Sequence, residues 1–280
     1  MKEKICLVTG ATHGIGRETA LVLACMGATL VLVGRNPEKT GATARMIQDK
    51  TGNLHVDYLL ADLSSFRQVY RLADEFHRRY AHLHVLVNNA GGVFFRRQLS
   101  PDNLEMTLAL NHLSPFLLTH LLLDTLKSSS PARIITVSSL AHFFTHVHFE
   151  DLQLTRHYNG WVAYAQSKLA NVLFTYELAR RLAGSHVTAN VVHPGYVATN
   201  FGQNNGWFYR LVFNAGQLVA VSPQQGAETI TYLASSPDVV GVSGKYFVNK
   251  QARRSSRISY DPSFAARLWQ VSREMTDLGN

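Results

Sequence analysis

Cysteine is scarce in this chain: two in 280 residues, Cys6 in the apolar run ICLV and Cys25 in ALVLACMG. This leaves too few thiols for a disulfide scaffold, and both are expected to be buried and reduced. Long apolar runs are also missing. The nearest, Phe116 to Leu123, is too short to span a bilayer and is interrupted by Thr119 and His120. The N-terminal MKEKICLVTG enters an apolar strand within a few residues, so no signal peptide and a cytoplasmic location are expected. There is no internal repeat and no low-complexity tract. Acidic residues are outnumbered by basic ones, 19 against 27, giving a net charge of +8. A phosphate-rich cofactor, anionic lipid or nucleic acid would each suit that balance. Charge alone is too little for a nucleic-acid role, and none is expected. The one basic cluster, KYFVNKQARRSSR from Lys245 to Arg257, reads as a solvated surface.

What is present is a regular alternation. Strands are expected at residues 4–10, 30–33, 55–60, 84–87, 133–137, 187–192 and 245–248. Helices are expected at residues 15–26, 37–50, 64–80 with Ser64 as cap, 103–127, 160–182 and 223–234. Near-continuous apolar strands separated by helical periods predict an α/β fold, a doubly wound parallel sheet of the Rossmann type. With 46% hydrophobic residues, positions 1–280 are expected to form a single domain. Two segments break the alternation. Residues 141–159 are rich in aromatics and histidines, and about 196–221 form an apolar loop read as a substrate lid; a C-terminal extension covers about 250–280.

Thr9-Gly10-Ala11-Thr12-His13-Gly14-Ile15-Gly16 joins the first strand to the first helix. Glycines there allow a tight turn and close approach of the backbone to a pyrophosphate at the positive end of the helix. The expected contacts are Gly10, Thr12, His13, Gly14, Ile15 and Gly16. At the end of the second strand stand Arg35 and Asn36, with no carboxylate to hold the ribose hydroxyls. Arginine there favours the extra phosphate of NADP(H), with NAD(H) as second choice. Lys39 and His13 add positive charge, and each charge-assisted phosphate contact is worth about 1.5–3 kcal/mol.

The chain resembles the short-chain dehydrogenase/reductase family across nearly its whole length. The motifs, in order, are Thr9-Gly10-x-x-x-Gly14-x-Gly16, Asp62-Leu63, Asn88-Asn89-Ala90-Gly91, Asn111, Ser138-Ser139, Tyr164-x-x-x-Lys168 and Pro194-Gly195-x-x-x-Thr199. Within the family it is similar to the retinol dehydrogenase-like branch through YAQSKLANVLF, VHPG, GKYF and a C-terminal RLW. Animal members of that branch commonly carry an N-terminal membrane anchor, and none is expected here. The resemblance implies that Asp62 and Leu63 hold the adenine, and that Asn89, Ala90 and Gly91 form the floor under the riboses. It further implies that Pro194, Gly195, Val197 and Thr199 embrace the nicotinamide, and that Tyr164 and Lys168 also touch the cofactor.

Carbonyl reduction needs a hydride and a proton, the second from an acid beside the carbonyl oxygen. Lys168 lies one helical turn after Tyr164 on the same face. An ammonium about 4 Å from a phenolate is worth about 4 kcal/mol at an effective dielectric near 20, enough to lower the tyrosine pKa by two or three. The positive oxidised nicotinamide acts in the same direction. Ser139 is expected to orient the substrate oxygen, with Ser138 as the competing choice. By resemblance, Asn111 binds a water that links Lys168 to solvent. Phe94, Phe95, Phe143, Phe144, Phe201, Trp207, Phe208 and Phe213 point to a bulky apolar aldehyde, ketone or alcohol. His142, His146 and His148 lack nearby acids or thiols at ligand spacing, and no metal is expected. The expected function is an NADP(H)-dependent oxidoreductase acting on that substrate. It would be a homo-oligomer without a membrane span, with peripheral membrane contact open. The alternative is a non-catalytic dinucleotide sensor or scaffold on the same fold.

Overall fold

The computed structural model describes residues 1–195 and 221–278. Eight strands form one sheet in the order β3-β2-β1-β4-β5-β6-β7-β8. They are β1 Ile5–Thr9, β2 Thr29–Gly34, β3 Val56–Leu60, β4 Val85–Asn88, β5 Ala132–Val137, β6 Val187–His193, β7 Tyr246–Val248 and β8 Gln251–Arg253. All neighbours pair in parallel except β7 and β8, which form a hairpin turned through Asn249 and Lys250, both at positive φ. The strand order reverses between β1 and β4, so the carboxyl ends of those two strands flank a crevice.

The strands are apolar on both sides because both sides are covered. Cys6, Val8, Leu30, Leu32, Val85 and Val87 pack with Leu23, Ile47, Ile230 and Leu233 of α1 (Gly14–Cys25), α2 (Pro37–Thr51) and α8 (Pro223–Ser235). Leu7, Val31, Val33, Leu86 and Ile134 face Phe76, Phe116, Leu118 and Phe174 of α3 (Phe66–Arg79), α5 (Ser114–Leu121) and α7 (Gly160–Arg181). Each fully buried side chain of this size contributes about 1.5–3 kcal/mol. Several helix starts follow the sequence signals. Asn36 caps α2 with Pro37 behind it, Asn159 accepts from Trp161 N and Val162 N at the head of α7, and Ser222 forms a capping box with Gln225.

The long helix expected over residues 103–127 is instead broken into α4 (Met106–Leu108), a π turn at Ala109–Leu113, α5 and α6 (Leu123–Ser128). The cap expected from Ser64 is absent: Ser64 Oγ donates to Asp62 Oδ1 at 2.7 Å, and the first N–H of α3 goes to Asp102 Oδ2 at 2.8 Å. The C-terminal extension holds β8 and a further helix, α9 (Pro262–Met275). Of the two cysteines, Cys6 is buried, where burial pushes its thiol pKa up to about 12; Cys25 is exposed. No helix among the described residues is long and apolar enough to cross a membrane.

Candidate active site

The turn between β1 and α1 is built by close approach. Gly10 has φ +65°, and a Cβ there would lie 2.9 Å from the Ala90 Cα. A Cβ on Gly16 would lie 2.4 Å from the Asn89 amide nitrogen and 2.4 Å from the Gly10 carbonyl oxygen. Only hydrogen fits, so the glycine turn rests against the turn that ends β4. Thr9 Oγ1 accepts from Asn89 N at 2.9 Å and Ala90 N at 3.0 Å, and Asn89 Nδ2 donates to Thr9 O at 2.8 Å. The first turn of α1 carries no acidic residue, leaving its positive end unopposed. Burial holds the pKa of His13 below its ordinary value, and the charges of Arg17, Lys39 and Arg35 add to the effect. Arg17, Lys39 and Arg35 are thus close enough to the head of α1 to act on His13, although Arg17 pairs with Glu18 at 2.8 Å; Thr12 Oγ1 lies 3.2 Å from His13 Nδ1.

Other predicted contacts have structural duties. Asn36 Oδ1 accepts from Lys39 N at 2.9 Å as the α2 cap. Asp62 Oδ1 accepts from Ser64 N at 3.0 Å and from Ser64 Oγ, which shapes its own turn, and Leu63 is buried behind it. Gly195 follows Pro194 beyond β6 at φ +92°, where a Cβ would meet Val221 at 2.9 Å. Val197, Thr199, Phe201, Trp207, Phe208 and Phe213, and the rest of the loop expected over 196–220, lie outside the described residues.

At the carboxyl end of β5 the two serines diverge. Ser138 Oγ donates to Lys168 O at 2.7 Å, tying the strand to α7. Ser139 instead hydrogen-bonds Tyr164, while its Oγ accepts from Ala141 N at 3.2 Å. Tyr164 and Lys168 are both buried, with the Lys168 Nζ 5.6 Å from the Tyr164 ring centre. Lys168 Nζ donates to Val137 O at 3.1 Å, and a Cβ on Gly91 would come within 3.5 Å of that nitrogen. The floor segment and the lysine thus meet at one point. Burial pushes Tyr164 up to about 12, against the hydrogen bond from Ser139, and pulls Lys168 down to about 8. From helical spacing alone, the lysine is expected to lower the tyrosine. In the structure desolvation is the larger effect, because both groups lie in the interior.

Asn111 sits in the π turn. Its Nδ2 donates to Gly92 O and Ser167 Oγ, both at 2.9 Å, and its Oδ1 accepts from Gly92 N at 2.8 Å. Both amide hydrogens are committed to stapling the β4 turn onto α7. The π turn exposes the Asn111 carbonyl, which accepts from Asn171 Nδ2 at 2.9 Å. Asn171 Nδ2 also reaches Val137 O at 3.2 Å, the same oxygen that holds Lys168. On its other side Asn171 Oδ1 lies 3.3 Å from His112 Nδ1, and His112 Nε2 lies 2.9 Å from Ser272 Oγ on α9. Sequence reasoning missed Ser167, Asn171 and His112. The available signal was a lone polar residue inside the apolar stretch Leu169-Ala170-Asn171-Val172-Leu173.

A family model described as short chain dehydrogenase matches residues 4–207. The chain belongs to the short-chain dehydrogenase family. It is 42% identical over 281 residues to a polyprenol dehydrogenase of Homo sapiens, covering 98% of this chain and 85% of that one. It is 42% identical over 275 residues to retinol dehydrogenase 11 of Homo sapiens, covering 98% and 86%. These relatives put it in the retinol dehydrogenase-like branch, an oxidoreductase on a fold that binds nicotinamide dinucleotides. Among solved structures, an uncharacterised protein of Mycobacterium paratuberculosis superposes with a TM-score of 0.79 at 33% identity, covering 99% of this chain and 94% of that one. RhlG of Pseudomonas aeruginosa, solved with NADP, gives a TM-score of 0.72 at 26% identity, covering 95% and 97%.

In this short-chain dehydrogenase the predicted aromatic side of the site divides. Phe94 is buried, and Phe95 meets Trp161 edge-on at 5.1 Å. A Cβ on Gly160 would lie 2.5 Å from Phe94 O, so the head of α7 sits directly on this segment. Phe143 and Phe144 are exposed on the turn after Ser139. The three histidines of the 141–159 connection separate: His142 is buried beneath Ser139, while the rings of His146 and His148 lie tilted against each other with centres 4.0 Å apart. Among the described residues no group of three or more potential ligands could hold a metal ion.

Proposed function

We propose that this dehydrogenase interconverts an apolar carbonyl compound and its alcohol using NADP(H), with Tyr164 as the proton-transferring group. The observation that carries the proposal is the buried constellation of Ser139 hydrogen-bonded to Tyr164, with Lys168 one turn away. The cofactor fits the residues present: a glycine cradle that a single Cβ would fill, an unopposed helix terminus, and Arg17, Arg35 and Lys39 gathered around His13. Arg35 beside Gly34, with no carboxylate there, supports the phosphorylated form. Bound NADP(H) supplies or accepts the hydride. Gly10, Thr12, His13, Gly14, Ile15 and Gly16 would line the pyrophosphate, Asp62 and Leu63 the adenine, and Asn89 to Gly91 the riboses. Pro194 and Gly195 would border the nicotinamide.

Tyr164, held protonated by burial, donates its hydroxyl proton to the carbonyl oxygen during reduction and recovers one from the alcohol in reverse. Ser139 holds that oxygen against Tyr164. Lys168 stabilises the tyrosinate that forms, and Asn111 fixes the floor segment that meets Lys168. The relatives' names, polyprenol and retinol dehydrogenase, refer to long apolar alcohols, which supports a lipophilic substrate. A panel of apolar aldehydes and ketones assayed with NADPH and NADH, on the wild type and Tyr164→Phe, tests the proposal. The expected result is a loss of roughly a hundredfold or more in kcat for Tyr164→Phe, with NADPH preferred. Unchanged turnover in Tyr164→Phe would overturn the mechanism, and equal use of NADH the cofactor assignment.

A further inference from the structure

We propose that His142 is a positioning residue for Ser139, and that it makes the C-terminal segment around Ser256 part of the active-site frame. The inference rests on the role given to Ser139 above. His142 has no exposed surface, and both of its ring nitrogens are engaged. Nε2 lies 3.1 Å from the backbone nitrogen of Ser256, 114 residues away. A backbone N–H can only donate, so Nε2 must accept. The ring is therefore the neutral tautomer with its proton on Nδ1. Nδ1 then donates to the Ser139 carbonyl oxygen, 2.6 Å away, and the His142 N–H reaches the same oxygen at 3.2 Å. Two donors from one residue thus clamp the Ser139 backbone, and the Ser256 N–H fixes which nitrogen carries the proton.

Ser139 depends on such a clamp. It leaves β5 in an extended conformation and starts a short 3-10 turn, Leu140–Phe144. Its Oγ already accepts from Ala141 N, which leaves the hydroxyl hydrogen and one lone pair for Tyr164 and a substrate oxygen. A rotation of this turn would move the Oγ and the donor bond together. The ring of Tyr246 on β7 packs against His142 at 4.9 Å between ring centres, so the imidazole has a wall as well as two polar anchors. Burial keeps the ring neutral, as both hydrogen bonds require.

The two amide replacements separate the two halves of the ring. His142→Asn keeps a donor at the Nδ1 position for Ser139 O and loses the reach to Ser256. His142→Gln keeps an acceptor at the Nε2 position for Ser256 N and loses the donor to Ser139. A positioning role predicts that His142→Gln lowers kcat by about 10- to 100-fold. KM for NADPH and the nucleotide dissociation constant should stay unchanged, while His142→Asn retains most of kcat despite a lower melting temperature. A purely structural role predicts that kcat per folded molecule is unchanged in both variants, and that result overturns the inference. His142→Phe adds a check with ring shape kept and both polar bonds removed; kcat at the wild-type value in folded protein overturns the inference as well. Ser139→Ala is measured alongside. Unchanged turnover there would remove the catalytic role of Ser139 itself, whereas loss in Ser139→Ala with none in His142→Gln would remove only the role of His142.

Discussion

Replacing Lys168 by methionine isolates its charge at little cost to the fold. The lysine gives up one hydrogen bond, to Val137 O, and that oxygen keeps Asn171 Nδ2 at 3.2 Å. With Nζ 5.6 Å from the Tyr164 ring, an effective dielectric near 20 gives about 3 kcal/mol of attraction for a tyrosinate, or roughly a hundredfold in its population. Tyr164 starts from about 12 and Lys168 titrates near 8. Below pH 8 the lysine is charged, so alcohol oxidation should rise about tenfold per pH unit in both proteins, with the variant about a hundredfold slower. Above pH 8 each proton lost by Lys168 cancels the gain at Tyr164, and the wild-type profile levels off. The variant has no such limit and keeps rising, closing the gap near about pH 10. Bound oxidised cofactor acts on Tyr164 in both proteins, so the difference survives it. Initial rates of oxidation of a saturating apolar alcohol from pH 6 to 10 provide the assay, with circular dichroism and NADPH binding to confirm folding. Parallel profiles that never converge, or equal rates at pH 7, would refute the electrostatic role.

Gly16→Ala should destabilise the protein by about 2–4 kcal/mol and abolish nucleotide binding, because the new methyl meets a backbone oxygen and displaces the Asn89 amide. Gly52→Ala, with nothing within 4 Å, is the control for φ strain alone, and thermal melts distinguish the two. Arg35→Ser should raise KM for NADPH at least about tenfold and leave KM for NADH nearly unchanged in steady-state kinetics. His112 and His193 are both held near 4 by burial. A depressed folded pKa means stability that is full above the unfolded value of 6.5 and lost as pH falls toward 4. Between pH 6.5 and 5 each costs about 1.6 kcal/mol, so urea unfolding should show a loss of about 3 kcal/mol; a flat profile over that range would contradict it.

The parallel sheet was legible because a strand covered on both faces has to be apolar on both faces, as in Cys6-Leu7-Val8 and Leu30 to Val33. The cradle was legible because glycine at Gly10 and Gly16 has no substitute where two backbones touch. The break at Ala109–Leu113 was not, since its residues continue a good helical pattern and the departure is paid by tertiary hydrogen bonds from Asn171 and Gly92. The distinction between Ser138 and Ser139 came from neighbours on α7 that adjacent positions cannot reveal. The burial of Tyr164 was not legible, because spacing along a helix gives a distance to a charge but says nothing about depth. In the sequence His142 reads only as a candidate metal ligand and His112 does not stand out, since their partners, Ser256 and Ser272, lie 114 and 160 residues further on.

The link from His112 to Ser272 has a consequence for the order in which the protein is made. Every side chain assigned to proton transfer has been synthesised by residue 168, and strand β6 follows soon after. Yet α9, which bears Ser272 and places Trp269 against Phe116 and Phe174, begins only at Pro262 and is made well after all of them. A nascent chain, or the product of a late stop codon, would therefore hold the complete set of reacting groups without the prop behind them. The motif alone then lacks the support that the far end of the fold gives it.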